Sequence, residues 1–292
     1  MPRPLVILPD PPPPPTPIGL IAGGGRLPVL VARGMRAAGH PVRAIGLSGQ
    51  YDGDLPGECD DFKTVGLLRL GAWGRTLRRM GVRHAVMVGR VDKASMMHDP
   101  LRFFRRIPDW RAAVIWYRRL RHDKRSHAVL GAIADELATF GVDLIDSTAH
   151  IPDHLASVGV MTTRQPNPDQ QADIEFAWPL LMEALRLDIG QAMAVRERDV
   201  IAVEAVEGTD RMIERAGQLC RATGWTLLKA ARIGHDRRAD VPTVGETTIR
   251  NLHKAGARCL ALAAGDVILV DKQETLALAD KLGVAVVGVP EV

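Results

Sequence analysis

The sequence predicts an α/β protein with a Rossmann-like domain built on a parallel sheet and a second, mixed α/β domain. Three observations predict this fold class. Short apolar runs alternate with stretches that carry apolar residues at helical spacing. A run of three glycines, Gly23-Gly24-Gly25, separates the first apolar run from the first helical stretch. Beyond residue 150 the pattern changes, because two apolar runs flank Arg198-Asp199 as in a hairpin.

Residues 18–150 are assigned to the Rossmann-like domain, which we expect to bind a nucleotide or a phosphate. Strands are predicted at 18–22, 42–47, 84–88 and 142–145, and helices at 27–38, 67–80, 110–120 and 127–140. Alternation of strands and helices is typical of a parallel sheet with helices on its faces. Residues 1–17 are rich in proline and predict an extended, exposed tail that neither pairs nor packs.

Residues 151–292 are assigned to the second domain, which begins near the proline-containing break after His150. Helices are predicted at 170–187, 210–222, 247–254 and 273–282, and strands at 192–195, 200–206, 226–230, 259–263, 267–270 and 284–289. This domain contains most of the candidate catalytic carboxylates, so we expect it to be the catalytic domain.

Composition and missing motifs exclude several classes of protein. No apolar run in the 292 residues approaches the roughly 18 residues of a membrane span. The three cysteines are scattered and match neither a disulfide framework nor a zinc site, which favours the reducing cytoplasm. A secretory signal, a P-loop, an H-E-x-x-H motif and a G-x-S-x-G motif are also missing.

The glycine run suits an anion, because glycines let the backbone approach a phosphate and a helix N-terminus adds amide donors. The match to the dinucleotide motif G-x-G-x-x-G is incomplete, since Pro28 stands at the third glycine position. No acid follows the second strand, which counts against an NAD enzyme. A tight turn without a ligand is the alternative interpretation.

Carboxylates stand at the ends of apolar runs in the second domain. Glu207 and Asp210 flank Gly208-Thr209, where they could face a ligand. The alternative is structural: Thr209 caps the following helix and Asp210 is a first-turn acid that favours the helix dipole.

A second cluster, Asp240-Val-Pro-Thr243-Val-Gly245, precedes a helix and is expected to be irregular. A carboxylate and a hydroxyl in such a stretch can bind a hard cation and its phosphate partners. Lys229 ends an apolar strand, where it either contacts phosphate or is simply solvated.

These strings together resemble the LpxI-type UDP-2,3-diacylglucosamine pyrophosphatases of lipid A biosynthesis over residues 18–290. The most specific strings are E-A-V-E-G-T-D over 204–210 and D-V-P-T-V-G over 240–245. Further matches are I-G-L-I-A-G-G-G-R-L-P over 18–28, L-D-I-G-Q over 187–191 and L-K-A over 228–230.

The resemblance implies a Mg²⁺-dependent hydrolase of the pyrophosphate in UDP-2,3-diacylglucosamine, which releases UMP and 2,3-diacylglucosamine 1-phosphate. The family's essential aspartate falls on Asp240. We assign catalytic roles to Asp240, Lys229 and Asp210, and metal binding to Asp240, Glu207 and Asp210, with one carboxylate as an alternative general base. The residues assigned to substrate binding are Gly23, Gly24, Gly25, Gln191, Thr209, Thr243 and Gly245.

One departure from the family concerns acidic residues, since Arg125-Ser126-His127 replaces a Gly-Asp-Asp sequence of relatives. The resemblance also implies a cytoplasmic protein, with possible peripheral contact to the inner membrane and a possible homodimer. A non-catalytic protein that binds nucleotide sugars or phospholipids through the glycine run is the alternative function.

A basic segment from Arg102 to Arg125 carries nine Lys/Arg residues, two acids and five aromatic residues. A solvated helical surface packed by its aromatic residues is the favoured interpretation, and a basic face against an anionic membrane is the alternative. We expect no nucleic-acid partner, because no recognised motif is present.

Overall fold

The computed structural model describes residues 8–91, 108–121, 126–232, 235–238 and 241–290. These residues form two compact units. The first consists of described residues up to Ile151 together with Asp236–Arg238, and the second of residues 152–232, residue 235 and residues 241–290. The sequence placed a single boundary near residue 150 and gave no sign that residues 236–238 belong with the first unit.

The first unit contains a five-stranded parallel sheet with strand order β3-β2-β1-β4-β5. Its strands are β1 (Ile18–Ala22), β2 (Val42–Leu47), β3 (Asp61–Val65), β4 (His84–Val88) and β5 (Asp143–Leu144). Its helices are α1 (Leu27–Ala37), α2 (Leu70–Arg79), α3 (Trp110–Ile115), which continues as a π-helical turn over Trp116–Leu120, and α4 (Ser126–Ala138). This is the Rossmann-like arrangement that the sequence predicts.

Successive side chains of β1 point to opposite faces of the sheet, and both faces are covered by buried apolar residues. Ile21 belongs to a buried cluster with Leu77 of α2 and Leu137 of α4. Leu20 and Ala22 therefore point to the opposite face, where both are fully buried and where α1 lies against β1 and β2. From β1 the chain adds β2 and β3 on one side of the sheet, and then β4 and β5 on the other side of β1. The carboxyl ends of the neighbouring strands β1 and β4 therefore form the topological switch point of the sheet.

The second unit contains a mixed six-stranded sheet with order β6-β13-β11-β9-β7-β8 and a two-stranded parallel sheet, β10-β12. Its strands are β6 (Gly159–Val160), β7 (Ala192–Arg196), β8 (Asp199–Val203), β9 (Thr226–Lys229), β10 (Thr243–Val244), β11 (Cys259–Ala263), β12 (Ile268–Leu269) and β13 (Ala285–Val289). Its helices are α5 (Pro168–Arg186), α6 (Thr209–Leu219), α7 (Glu246–Lys254) and α8 (Lys272–Leu282). The α/β fold class is confirmed.

Two separate cores cover the faces of the six-stranded sheet. On one face, Leu181 of α5 packs in a buried cluster with Leu228 of β9. On the other face, residues of α6, α7 and α8 form a cluster with Leu227 of β9. The predicted hairpin around Arg198-Asp199 is present, and its turn residues Glu197 and Arg198 both have positive φ, as a type I′ turn requires.

Three strands and the terminal tail differ from the sequence predictions. β3 was missed because its polar sequence, Asp-Phe-Lys-Thr-Val, is tolerated at the sheet edge. β6 and β10 are too short to produce a pattern. The expectation of a tail that neither pairs nor packs is wrong, since the carbonyl oxygen of Thr16 accepts a hydrogen bond of 2.9 Å from Nδ1 of His40.

Candidate functional site

The glycine run occupies the predicted place between β1 and α1, but two of its amides are already in use. Gly23 donates its amide to the carbonyl of Val88 at 2.9 Å, and Gly24 donates to the carbonyl of Arg90 at 2.7 Å. The expectation that the whole run offers amide donors to a phosphate is therefore corrected for Gly23 and Gly24.

Close backbone approach explains why glycine stands at these two positions. A Cβ at Gly23 would lie 2.7 Å from the carbonyl oxygen of Arg90, and one at Gly24 would lie 2.8 Å from that of Gln50. Gly25 differs, because its φ of 91° falls in the region that L side chains rarely adopt. The glycine run, which follows β1, is thus packed against the loops that follow β2 and β4 at the carboxyl edge of the sheet.

A cleft of about 440 Å³ opens at this edge of the first unit. Its lining consists of Gly24, Gly25, Gln50, Arg90 and Val91, which follow strands β1, β2 and β4. Ligands of open α/β sheets bind outside the carboxyl ends of the strands at such a switch point. An arginine and an amide side chain can recognise a phosphate or a nucleobase there.

A buried cluster of polar side chains lies in the second unit, at the end of β9. Lys229 is only 5% exposed, and its Nζ donates to the hydroxyl of Thr209 at 3.0 Å. The same hydroxyl donates to Oε2 of Glu204 at 3.0 Å. We call Lys229, Thr209 and Glu204 the lysine cluster.

Burial and charge act in opposite directions within the lysine cluster. Desolvation lowers the pKa of Lys229, while the charges of Glu204 and Asp210 raise it. Desolvation raises the pKa of Glu204, while the Lys229 charge and hydrogen bonds from Thr209 and the Gln191 backbone lower it. Desolvation is the larger effect on both groups, so the pKa of Lys229 lies below its usual value and the pKa of Glu204 above it. A charged Lys229 is poorly hydrated here, and its attraction for an anion is stronger than in water.

The turn before α6 places Thr209 in this cluster. Gly208 has φ 82° and ψ 165°, a conformation open almost only to glycine, and α6 begins directly after it. Thr209 is the first residue of the helix, and its hydroxyl is turned back toward Glu204. The alternative that Thr209 is the N-cap is therefore wrong.

The two acids proposed beside Thr209 have different partners. Asp210 is exposed, and its Oδ1 accepts a hydrogen bond of 3.1 Å from the side-chain amide of Asn251 in α7. Glu207 forms an ion pair with Arg215 of α6. Hydrogen bonds from its own backbone amide and from Arg215 lower the pKa of Glu207. Asp210 thus stays near Lys229, whereas Glu207 is engaged elsewhere.

The remaining predicted site residues have separate positions. Asp240 lies outside the described residues. Thr243 belongs to β10 and Gly245 precedes α7, so this stretch is a short strand where an irregular segment was expected. Gln191 accepts a hydrogen bond from the amide of Ala230 at 3.0 Å through its carbonyl, and its backbone also reaches Glu204.

Glu204 and Asn251 are members of this region that the sequence interpretation missed. Glu204 is not among the predicted site residues, because in a regular strand it would point to the face opposite Glu207. A signal was present, since Glu204 ends an apolar run and is separated from Thr209 by only four residues. Asn251 has no comparable signal, because its partner Asp210 is 41 residues away.

Two features of the described residues bear on metal and membrane binding. They contain no group of three or more His, Cys, Asp or Glu side chains placed to hold a metal ion. The helices within the described ranges also include none with the length and apolar character needed to cross a membrane.

The basic segment is described only over residues 108–121. Trp110 is 81% exposed and Tyr117 is 67% exposed, while Trp116 is about half exposed. The guanidinium of Arg121 lies 5.4 Å from the ring centre of Tyr117. The expectation that the aromatic residues pack this surface is wrong for these three; Phe103 and Phe104 lie outside the described residues.

The fold and the lysine cluster define an α/β protein of two compact units, with a buried lysine, threonine and glutamate hydrogen-bonded to one another in the second unit. Family models of the LpxI N-terminal domain and the LpxI C-terminal domain match residues 17–154 and 157–287. The chain is 33% identical over 285 residues to the UDP-2,3-diacylglucosamine pyrophosphatase LpxI of Caulobacter vibrioides, covering 93% of this chain and 97% of that protein. The chain belongs to the LpxI family, as its motifs predict.

Proposed function

We propose that this chain hydrolyses the pyrophosphate of UDP-2,3-diacylglucosamine in lipid A biosynthesis, with UMP and 2,3-diacylglucosamine 1-phosphate as products. Water adds to one phosphorus, the bond from that phosphorus to the bridging oxygen breaks, and the second phosphate leaves with the bridging oxygen. Membership of the LpxI family over nearly the whole chain supports this enzymatic class. The alternative is a protein that binds nucleotide sugars without cleaving them.

The observation that carries the proposal is the buried ammonium of Lys229. An ammonium has three donors, and one of them is directed to Thr209. The other two can meet phosphate oxygens, whose negative charge increases in the leaving group as the bond breaks. Glu204 balances the lysine charge through Thr209 and fixes the direction of the ammonium.

The requirement for Mg²⁺ is a proposal that depends on Asp240. The described residues alone do not supply a ligand set. Asp210 keeps a second carboxylate oxygen beside the one that Asn251 occupies, and it suits a hard cation. Glu207 suits it less, because Arg215 already binds its carboxylate. A cation held by Asp240 and Asp210 would offset the charge of the pyrophosphate.

We assign the nucleotide to the cleft of the first unit. Arg90 and Gln50 supply a charge and an amide there, and Gly25 leaves room for close approach. Replacing Arg90 with Gln should weaken UMP binding about tenfold, the loss expected when a charge-assisted hydrogen bond becomes a neutral one. The same replacement at Arg83, outside this cleft, is the matched control.

Contact with the membrane surface is a separate proposal, supported by the exposed Trp110 and Tyr117 beside basic residues. Aromatic and basic side chains together favour the interface of an anionic bilayer. Replacing Arg118, Arg119 and Arg121 with Gln should reduce binding to anionic vesicles and raise the apparent KM in a vesicle assay. Unchanged vesicle binding would contradict this proposal. We also propose location in the cytoplasm, which the resemblance and the scattered cysteines favour, and a homodimer, which no described contact supports.

The deciding experiment is incubation with UDP-2,3-diacylglucosamine and Mg²⁺, with and without EDTA, followed by product analysis. We expect UMP and the lipid monophosphate in equal amounts, and loss of both with EDTA. Carrying out the reaction in ¹⁸O-labelled water identifies the phosphorus attacked. A folded protein that binds the substrate but releases no UMP would establish the non-catalytic alternative.

A further inference from the structure

We propose that a cleft between α5 and the carboxyl ends of β11 and β13 binds one neutral acyl chain of a lipid substrate. The inference rests on the proposed function and adds a binding site for the hydrocarbon part of the substrate. The cleft has a volume of about 720 Å³, within the range of roughly 300–1,000 Å³ that ligand pockets occupy. We call it the α5 cleft.

The walls of the α5 cleft are mostly apolar. One wall is a face of α5, with Ile174, Trp178 and Met182. The opposite wall comes from the ends of two parallel strands, with Ala263 of β11 and Val287 of β13. Trp178 and Met182 are only half-buried, so a hydrocarbon placed between the walls would remove further apolar surface from water.

The charges of the α5 cleft select the kind of hydrocarbon. Three of the described residues that line it are acidic (Glu175, Glu183 and Asp266), and none is basic. Glu183 is paired with Arg186 at 2.8 Å, and the described lining itself offers no cation to the carboxylate of a free fatty acid or to a phosphate group. A chain joined to a sugar through an uncharged linkage has no such group and fits the lining.

The position of the α5 cleft relates it to the lysine cluster. Ala231 lines the cleft and follows Lys229 by two residues, about 7 Å of extended chain. Lys229 lies on the α6 side of the sheet, through its bond to Thr209, while the cleft lies on the α5 side. A diacylated ligand whose phosphate is held at Lys229 can therefore send a chain across the carboxyl edge of the sheet.

A matched pair of variants on α5 tests the cleft. Met182→Glu adds a charge inside it, whereas Leu180→Glu adds the same charge at a 41% exposed position outside its lining. We expect Met182→Glu to raise the KM for the diacylated substrate at least tenfold, with inhibition by UMP unchanged. Leu180→Glu should change both by less than twofold. An unaltered KM in a folded Met182→Glu protein would overturn the inference.

Fluorescence quenching provides a second test that does not depend on turnover. 2,3-Diacylglucosamine 1-phosphate with brominated acyl chains should quench Trp178, and the Trp178→Phe protein should lose that part of the quenching. Quenching without turnover would refute the proposed function and support the cleft; turnover without quenching would do the opposite. If quenching by the brominated lipid decreases as the protein concentration rises, a second protein molecule covers the cleft, and the cleft is then a dimer contact and not an acyl-chain site.

Discussion

The ammonium of Lys229 donates to the hydroxyl of Thr209 at 3.0 Å, although the two residues lie 20 positions apart and on different elements. The strand β9 ends at Lys229, and the helix α6 begins at Thr209. The hydroxyl in turn donates to Glu204. It therefore lies between a buried carboxylate and a buried ammonium and bonds to both. Thr209 is therefore the residue that links the two charged side chains of the lysine cluster.

Replacing Thr209 with Val keeps the shape but deletes the hydroxyl between Lys229 and Glu204. We expect kcat to fall about tenfold to a hundredfold, because Lys229 loses its fixed direction and Glu204 loses a donor. Thr209→Ser retains the hydroxyl and should keep most of the activity. Steady-state kinetics of the two variants test this, and equal activity of Val and Ser proteins would show that the hydroxyl has no role.

A double-mutant cycle on Lys229 and Glu204 separates catalysis from stability. Lys229→Met should lower the free energy of unfolding by about 3 kcal/mol, because it leaves Glu204 buried without its cation. Adding Glu204→Gln should recover most of that loss, since no buried charge then remains in the pair. Both proteins should be inactive. Urea unfolding measures the cycle, and additive losses would mean that the two side chains do not interact.

Asp240 supplies the sharpest test of the catalytic assignment. Asp240→Asn preserves size and hydrogen-bonding capacity but removes the charge that a cation requires. Turnover should fall at least about a hundredfold, the usual scale for losing one acid–base or charge-stabilising group. The exposed Asp199→Asn at the start of β8 is the control and should be near wild type. A folded Asp240→Asn protein within a few-fold of wild-type turnover would refute the assignment.

The three thiols should react at different rates with a disulfide reagent. Burial, together with Asp60 and Glu58, raises the pKa of Cys59 to about 11, and burial raises that of Cys259 to about 12. Their thiolate fractions at pH 8 are therefore small, and the half-buried Cys220 should be labelled first. The labelling rate of Cys59 should keep rising about tenfold per pH unit beyond pH 9, where an ordinary thiol levels off. A plateau for Cys59 below pH 10 would contradict this expectation.

The sequence predicts most of the fold because the buried elements carry strong patterns. Buried strands such as Val42–Leu47 and Cys259–Ala263 agree with the prediction at both ends. The missed β3 lies at a sheet edge, where a polar sequence is tolerated and period-two alternation is weak. An apolar pattern in the sequence reflects burial, so an element that buries few side chains has too weak a pattern to be predicted.

The candidate site was predicted less completely, for a different reason. Lys229 and Asp210 are predicted from their places at the end of a strand and the start of a helix, the resemblance adds Thr209 to substrate binding, and Glu204 is not predicted. The structure has Glu204 in the cluster, because the chain leaves the regular strand after Val203 and the period-two rule ceases to apply. The glycine run shows the same limit: its sequence indicates an anion, while hydrogen bonds to Val88 and Arg90 use two of its amides.

The short segment Asp236–Arg238 makes the chain pass from one unit to the other three times. Within the first unit, Arg237 donates to Asp146 at 2.9 Å and to Thr148 at 2.7 Å. A fragment ending near residue 154 would therefore lack the guanidinium that neutralises Asp146, even though the family models divide the chain there. The two domains are thus poor candidates for separate expression or for exchange between relatives as modules, and a recombinant chimera needs residues 236–238 from the parent of its first domain.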